Sequence, residues 1–148
     1  MRISSKGRYG LAAAISMAQN YESGACITVI SLSERLGISK IYLEQVFSLL
    51  KKAGLVNSIK GAQGGYRLAN PPQKINAMEI LTALEQSLFE KTEESVAQKA
   101  SDIENTMQDS VFSLIDKAVE DTLTKISLYD LAVKAETYRE NASYMFYI

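Results

Sequence analysis

The chain has 148 residues, 47% of them hydrophobic, with one cysteine (Cys26) and no histidine, which suits one domain or a small domain with an assembly arm. No apolar run approaches the roughly 18–20 residues that span a bilayer, no signal-peptide stretch opens the chain, and the commonest metal ligand and general base is missing. Membrane, zinc and enzyme readings therefore start low, and a cytoplasmic protein is expected. The formal net charge of −1 hides an asymmetry: residues 1–75 hold ten Lys and Arg against three Glu (+7), whereas residues 76–148 hold six against fourteen acidic residues (−8). A basic front half is the electrostatic footprint of nucleic-acid binding, and an acidic back half should face away from phosphates.

From Lys6 to about Tyr21, Leu11, Ala14, Ile15 and Ala18 recur at i, i+3, i+4 and i+7, predicting a helix with one apolar stripe. Glu22-Ser23-Gly24 reads as a turn. Thr28 can cap a short second helix in which Val29, Leu32 and Leu36 face inward until Gly37 ends it. Ser39 caps a third helix with Leu43, Val46, Phe47 and Leu50 buried and Lys40, Glu44, Gln45, Ser48, Lys51 and Lys52 outward, closed by Gly54. Two short helices about the turn Leu36-Gly37-Ile38-Ser39 form a helix-turn-helix pattern, whose second helix lies in the major groove. Leu55 to Lys60 and Gly65 to Ala69 are β-prone runs joined by Gly61-Ala62-Gln63-Gly64, a basic hairpin placed as a wing and terminated by Asn70-Pro71-Pro72.

Ala77 to Glu85 is a further amphipathic helix, and Gln86 to about Lys99, polar and acidic, reads as a loop. From about Ser101 to Ile126, the residues Ile103, Met107, Val111, Leu114, Ile115, Ala118, Thr122 and Ile126 trace one long stripe. A helix that long in so small a chain needs a partner, so Val111, Leu114, Ile115 and Ala118 are expected to dimerise. A shorter helix, Leu128 to about Ala135, follows, and no internal repeat is evident. The expected fold is mainly α with a small β-hairpin wing: a winged helix-turn-helix over residues 1–85, a loop over 86–100, and a dimerisation helix with C-terminal tail over 101–148.

On the third helix, Ser39, Lys40, Glu44 and Gln45 lie nearest the turns that reach base edges. Glu44 can accept from cytosine N4 and Gln45 can pair with adenine; the bland alternative makes Glu44 a solvated partner of Lys40 or Lys51. On the wing, Lys60 and Arg67 flank Gly61, Gly64 and Gly65, a loop able to approach the backbone or minor groove, while Tyr66 is expected to pack the wing on the core. Arg2, Lys6 and Arg8 at the start of helix one can hold phosphate, with an intramolecular salt bridge the alternative for Arg8. Cys26 is either a small packed hydrophobe or a redox switch acting on the DNA-binding half. No nucleophile–base pair, carboxylate pair or metal spacing is recognisable; catalytic, metal and cofactor sites are expected to be absent. A winged-helix adaptor that does not touch DNA is the competing class.

The runs Ile3-Ser4-Ser5-Lys6-Gly7-Arg8-Tyr9-Gly10, Glu34-Arg35-Leu36-Gly37-Ile38-Ser39 with Tyr42-Leu43-Glu44-Gln45, and Gly61-Ala62-Gln63-Gly64-Gly65-Tyr66 together resemble the Rrf2 (Rrf-two) family of winged helix-turn-helix regulators. The resemblance covers about residues 1–85 with three motifs in order. It implies a homodimer on a pseudo-palindromic operator and adds Tyr42 to the DNA-binding set. Many members hold an iron–sulfur cluster through three cysteines in the loop before the long helix. This chain has none there, and carboxylates do not replace thiolates in such clusters. The match is nearest to a subgroup of cysteine-metabolism repressors that lacks those cysteines and shares the ending Tyr144-Met145-Phe146-Tyr147-Ile148. That resemblance implies a tail seated in the active site of O-acetylserine thiol-lyase, against the alternative of a tail packed on its own dimer.

Overall fold

The computed structural model describes residues 2–146. Helix α1 (Ser5–Gln19) starts at Ser4, whose hydroxyl accepts from the Gly7 N–H at 3.2 Å. Its buried face is made of Gly7, Gly10, Ala13, Ala14, Ser16 and Met17, so it is rotated from the expected stripe, and Leu11, Ile15 and Ala18 are only half-buried. The reason is close packing. A Cβ on Gly7 would collide with the Glu85 carboxylate and one on Gly10 with the Leu84 side chain, so helix α4 (Ala77–Leu84) settles into a small-residue notch on α1.

Helix α2 (Val29–Leu36) is capped by Thr28 and stopped by Gly37 at φ 67°. Helix α3 (Lys40–Lys52) is capped by Ser39 and buries Leu43, Val46, Phe47 and Leu50; its C-cap is Ala53, one residue before the expected Gly54. Strands β1 (Val56–Ile59) and β2 (Gly65–Leu68) pair antiparallel from Val56 opposite Leu68 to Ile59 opposite Gly65. The hairpin is tied to the core twice. Ile27 and Tyr66 exchange backbone hydrogen bonds of 2.9 and 2.8 Å, and the Tyr66 ring stacks on Phe47 at 4.4 Å. Tyr66 is therefore structural, as expected.

Asn76 and Glu79 close a capping box on α4. The segment 86–100 holds one short 3-10 turn, Ser87–Phe89. The long helix is continuous but not uniform: α5 (Ser101–Met107) passes through a π-helical segment, Gln108–Phe112, into α6 (Ser113–Thr124). Among the stripe residues, Ile103, Val111, Leu114 and Ile115 are 47–59% exposed, and α6 buries no residue.

Helix α7 runs Leu128–Phe146, well beyond the expected end near Ala135. Its root is anchored: the Leu128 N–H donates to Ile75 at 2.7 Å and the Ala77 N–H to Ile126 at 2.8 Å, and Leu128 is fully buried in the same core as α1 and α3. Helix α7 packs along α1, so the 101–148 segment contributes to the core of the N-terminal unit. Tyr144 and Met145 belong to this helix and are 70% and 75% exposed; Tyr147 and Ile148 lie outside the described residues.

No helix among the described residues is long and apolar enough to cross a membrane.

Candidate nucleic-acid interface

The core-facing side of α3 is almost solvent-free: Leu43, Val46 and Phe47 show no exposed surface. The opposite side of its first turns therefore points outward and presents Ser39, Lys40, Ile41, Glu44 and Gln45. Lys40 and Glu44 approach to 4.0 Å with both side chains more than half exposed. An exposed i,i+4 pair of this kind is weak, about 0.3–0.5 kcal/mol, so it leaves the Glu44 carboxylate able to swing to another donor. Tyr42 behaves differently from its neighbours. Half-buried, it meets the Tyr9 ring edge-on at 5.0 Å and orients α3 against α1.

The wing stands beside this surface. Lys60, Gly61 and Arg67 are exposed, and Gly64 and Gly65 half-buried. Gly65 adopts φ 148°, and a Cβ there would lie 2.6 Å from the Ile27 carbonyl oxygen, so only glycine fits where the loop re-enters the sheet. At the end of α3, Lys51 Nζ donates to Ser58 Oγ at 2.9 Å, fastening α3 to the first wing strand. Lys51 thus belongs to the wing and not to Glu44.

At the start of α1, Arg2 is exposed and Lys6 half-buried. Arg8 is held by neutral partners, donating to the Ile3 carbonyl at 3.2 Å and to Ser5 Oγ at 3.1 Å. The intramolecular salt bridge considered for Arg8 is not formed among the described residues; its charge stays uncompensated on the surface.

Three residues matter that sequence reasoning passed over. Glu85 is 7% exposed and its Oε1 accepts from the Ser4 N–H and hydroxyl, fixing the N-terminus of α1. Its place at the end of an amphipathic helix gave no hint of burial. Ile41, flanked by Lys40 and Tyr42, is 72% exposed; its mismatch with the inward stripe of α3 was a signal available in the sequence. Glu104 is 2% exposed and organises the loop before the long helix. It accepts from the Val96 N–H at 2.8 Å, the Ser95 N–H at 3.0 Å and the Gln108 amide at 3.2 Å. These bonds, Val96 first, hold its carboxyl below the usual glutamate range.

Cys26 is half-buried, between the packed and exposed alternatives. It lies between α1 and α2, far in sequence from the loop in which an iron–sulfur cluster would be held. That loop supplies Glu90, Glu93 and Glu94, and α5 beside it the engaged Glu104, but no thiolate, so the donor set does not fit a cluster. Among the described residues no group of His, Cys, Asp and Glu could hold a metal ion.

Residues 3–134 match the Rrf2 family, described as iron-dependent transcriptional regulators. The chain is 38% identical over its 148 residues to the HTH-type transcriptional regulator CymR of Bacillus subtilis, covering all of both chains. It is 44% identical over 88 residues to the regulator IscR of Escherichia coli, covering 60% of this chain and 54% of IscR. Among solved structures, CymR, the global cysteine regulator of B. subtilis, superposes with a TM-score of 0.73 at 34% identity, covering 90% of this chain and 98% of that one. The oxidized form of Staphylococcus aureus CymR does so with a TM-score of 0.65 at 39% identity, covering 89% and 96%. The fold is accordingly the winged helix, and the named relatives are regulators rather than enzymes. On sequence and fold alike, this chain belongs to the Rrf2 family of helix-turn-helix transcriptional regulators.

Proposed function

We propose that the protein is a cytoplasmic, homodimeric repressor that binds a pseudo-palindromic operator and controls genes of cysteine and sulfur metabolism. The observation that carries DNA binding is the pairing of two surfaces: the outward N-terminal face of α3, backed by a solvent-free core, and the wing bearing Lys60 and Arg67. Ser39, Lys40, Glu44 and Gln45 read or approach base edges, with Tyr42 setting the angle of the helix. Arg2, Lys6, Arg8, Lys60 and Arg67, with the loop glycines Gly61, Gly64 and Gly65, contact the backbone or minor groove. Ile41 joins this set, because an exposed aliphatic side chain on a reading face suits the thymine methyl group.

Dimerisation is supported by exposed Val111 in the π-helical segment and exposed Leu114, Ile115 and Ala118 on α6, a patch that a free monomer rarely leaves uncovered. Cysteine control is supported by the full-length similarity to CymR, named the global cysteine regulator. The domain division follows the same logic: 1–85 binds DNA, and 101–148 carries the dimer face on a root shared with that core. Footprinting on the protein's own genomic DNA tests the proposal. Protection of a two-fold site upstream of sulfur-assimilation genes supports it, and a chain that protects no site is an adaptor.

Two finer readings accompany this one. The exposed Tyr144 and Met145 on the last described turn of α7 support a partner-binding tail reaching to Phe146, Tyr147 and Ile148, with O-acetylserine thiol-lyase as the partner. Deleting Phe146 to Ile148 should abolish enzyme binding without unfolding the dimer, and binding by the truncated chain ends this reading. The half-buried Cys26, together with a relative solved in an oxidized form, supports redox control. In that step a peroxide oxygen adds to the Cys26 thiolate, giving sulfenate and water. Unchanged operator affinity after peroxide treatment would remove it.

A further inference from the structure

A cleft of about 430 Å³ opens between α1, α2 and α7, and among the described residues no α3 residue and no Asp or Glu lines it. Two guanidinium groups do, Arg35 from α2 and Arg139 from α7. Arg35 has only neutral partners, donating to Ser16 Oγ and to Gln19 Oε1, each at 2.6 Å, and it makes no ion pair among the described residues. Gln19 in turn donates to Glu136 Oε2 at 3.4 Å, and Arg139 reaches that same oxygen at 3.8 Å with its own side chain 70% exposed. One partly exposed carboxylate, Glu136, thus stands against two positive charges.

The wall of the cleft offers a second indication. Ser16 is 3% exposed, lines the cleft and accepts from Arg35 at 2.6 Å, holding that guanidinium at the wall. Leu32 and Ile27 add an apolar floor, with the Cys26 side chain beside them. Two guanidinium groups, an excess of positive charge and a short apolar floor together describe a receptor for an anion carried on a small carbon body.

We propose that this cleft binds a small organic anion, its carboxylate or phosphate group clamped by Arg35 and Arg139 and its body lying on Leu32 and Ile27. The arrangement suits an effector. Arg35 sits on the first helix of the helix-turn-helix, Ile27 is hydrogen-bonded to wing residue Tyr66, and Arg139 belongs to the helix rooted beside the dimer arm. An anion joining the two arginines therefore fixes α7 against the reading head. The proposal does not depend on DNA binding and is tested without DNA.

The test follows backbone amide signals of the full-length protein by NMR at constant ionic strength, titrating butyrate, its neutral isostere butyramide, and inorganic phosphate. Expected are saturable shifts at Ala25 to Ile27 and Arg35 with butyrate or phosphate but not with butyramide. Saturation by butyrate alone assigns a carboxylate ligand, and saturation by phosphate alone assigns a phosphate head. Arg139→Gln, on the exposed face of α7, should weaken binding about tenfold or more, as should Arg35→Gln; Arg35→Lys keeps the charge and serves where Arg35→Gln is unstable. Shifts that never saturate, that butyramide reproduces, or that survive Arg139→Gln overturn the proposal.

Discussion

Glu85 Oε1 accepts two hydrogen bonds from Ser4, one from its backbone N–H at 2.7 Å and one from its hydroxyl at 2.6 Å, across 81 residues of sequence. This joint seats the N-terminus of α1, with Arg2, Lys6 and Arg8 around it, on the end of α4. It depends on Gly7, whose missing side chain makes room for the carboxylate. Gly7→Ala should push Glu85 off Ser4 and destabilise the fold by about 1–3 kcal/mol. Glu85→Gln keeps one acceptor oxygen and should cost less. Denaturant unfolding of the two variants checks the order; a neutral Gly7→Ala would show that α4 can retreat freely.

Glu104 gives the loop before the long helix an acid sensitivity. Its folded carboxyl titrates below the ordinary value of 4.5 because it accepts from Val96, Ser95 and Gln108. The stabilisation is therefore fully present above the unfolded value and is lost as pH falls through that range toward the folded one. Hydrogen exchange at the Val96 amide should accelerate, beyond its intrinsic pH dependence, as pH falls below the ordinary value of 4.5. Glu104→Gln should be exchange-labile already at pH 7 and lack the acid-induced step; an equal step in that variant would contradict the assignment.

The reading surface predicts losses of different kinds. Lys60→Ala should weaken binding to every duplex and reduce the salt slope by about one unit, whereas Glu44→Ala should relax specificity at one or two base pairs. Ile41 has a chemical test of its own. Replacing operator thymines singly with uracil removes only the methyl group, so one such position should lose affinity with the native protein and lose none with Ile41→Ser. Native binding indifferent to every thymine-to-uracil change would take Ile41 out of the reading set.

The exposed residues of α6 predict the oligomeric state. Leu114→Glu with Ile115→Glu should give monomers by sedimentation, with operator affinity reduced by orders of magnitude because two half-sites are no longer joined. A double variant that remains dimeric would place the dimer face elsewhere.

The helix-turn-helix and wing were legible because their signals are local: Thr28 and Ser39 as caps, Gly37 as a stop, and a four-residue apolar stripe on α3. The buried face of α1 was displaced in the reading because it is built from Gly7, Gly10 and Ala13, residues selected for close approach and weak in hydropathy. Helix α7 was cut short because beyond Ala135 its exposed residues carry no periodic pattern, and packing on α1 sustains it instead. Glu85 and Glu104 looked like solvated acids, since a carboxylate's backbone partners cannot be read from composition. Nothing local marks Arg35 as a cleft residue, because its place on that wall depends on α7 lying across it.

Sequence-specific DNA recognition by the basic half of the molecule is decided by a salt titration of affinity on the footprinted operator and on a scrambled duplex of equal length. Log affinity should fall linearly with log salt on both, with similar slopes set by the phosphate contacts, while the operator stays tighter by about a thousandfold or more. Affinity that does not respond to salt, or operator and scrambled duplexes bound equally at every salt concentration, would contradict it.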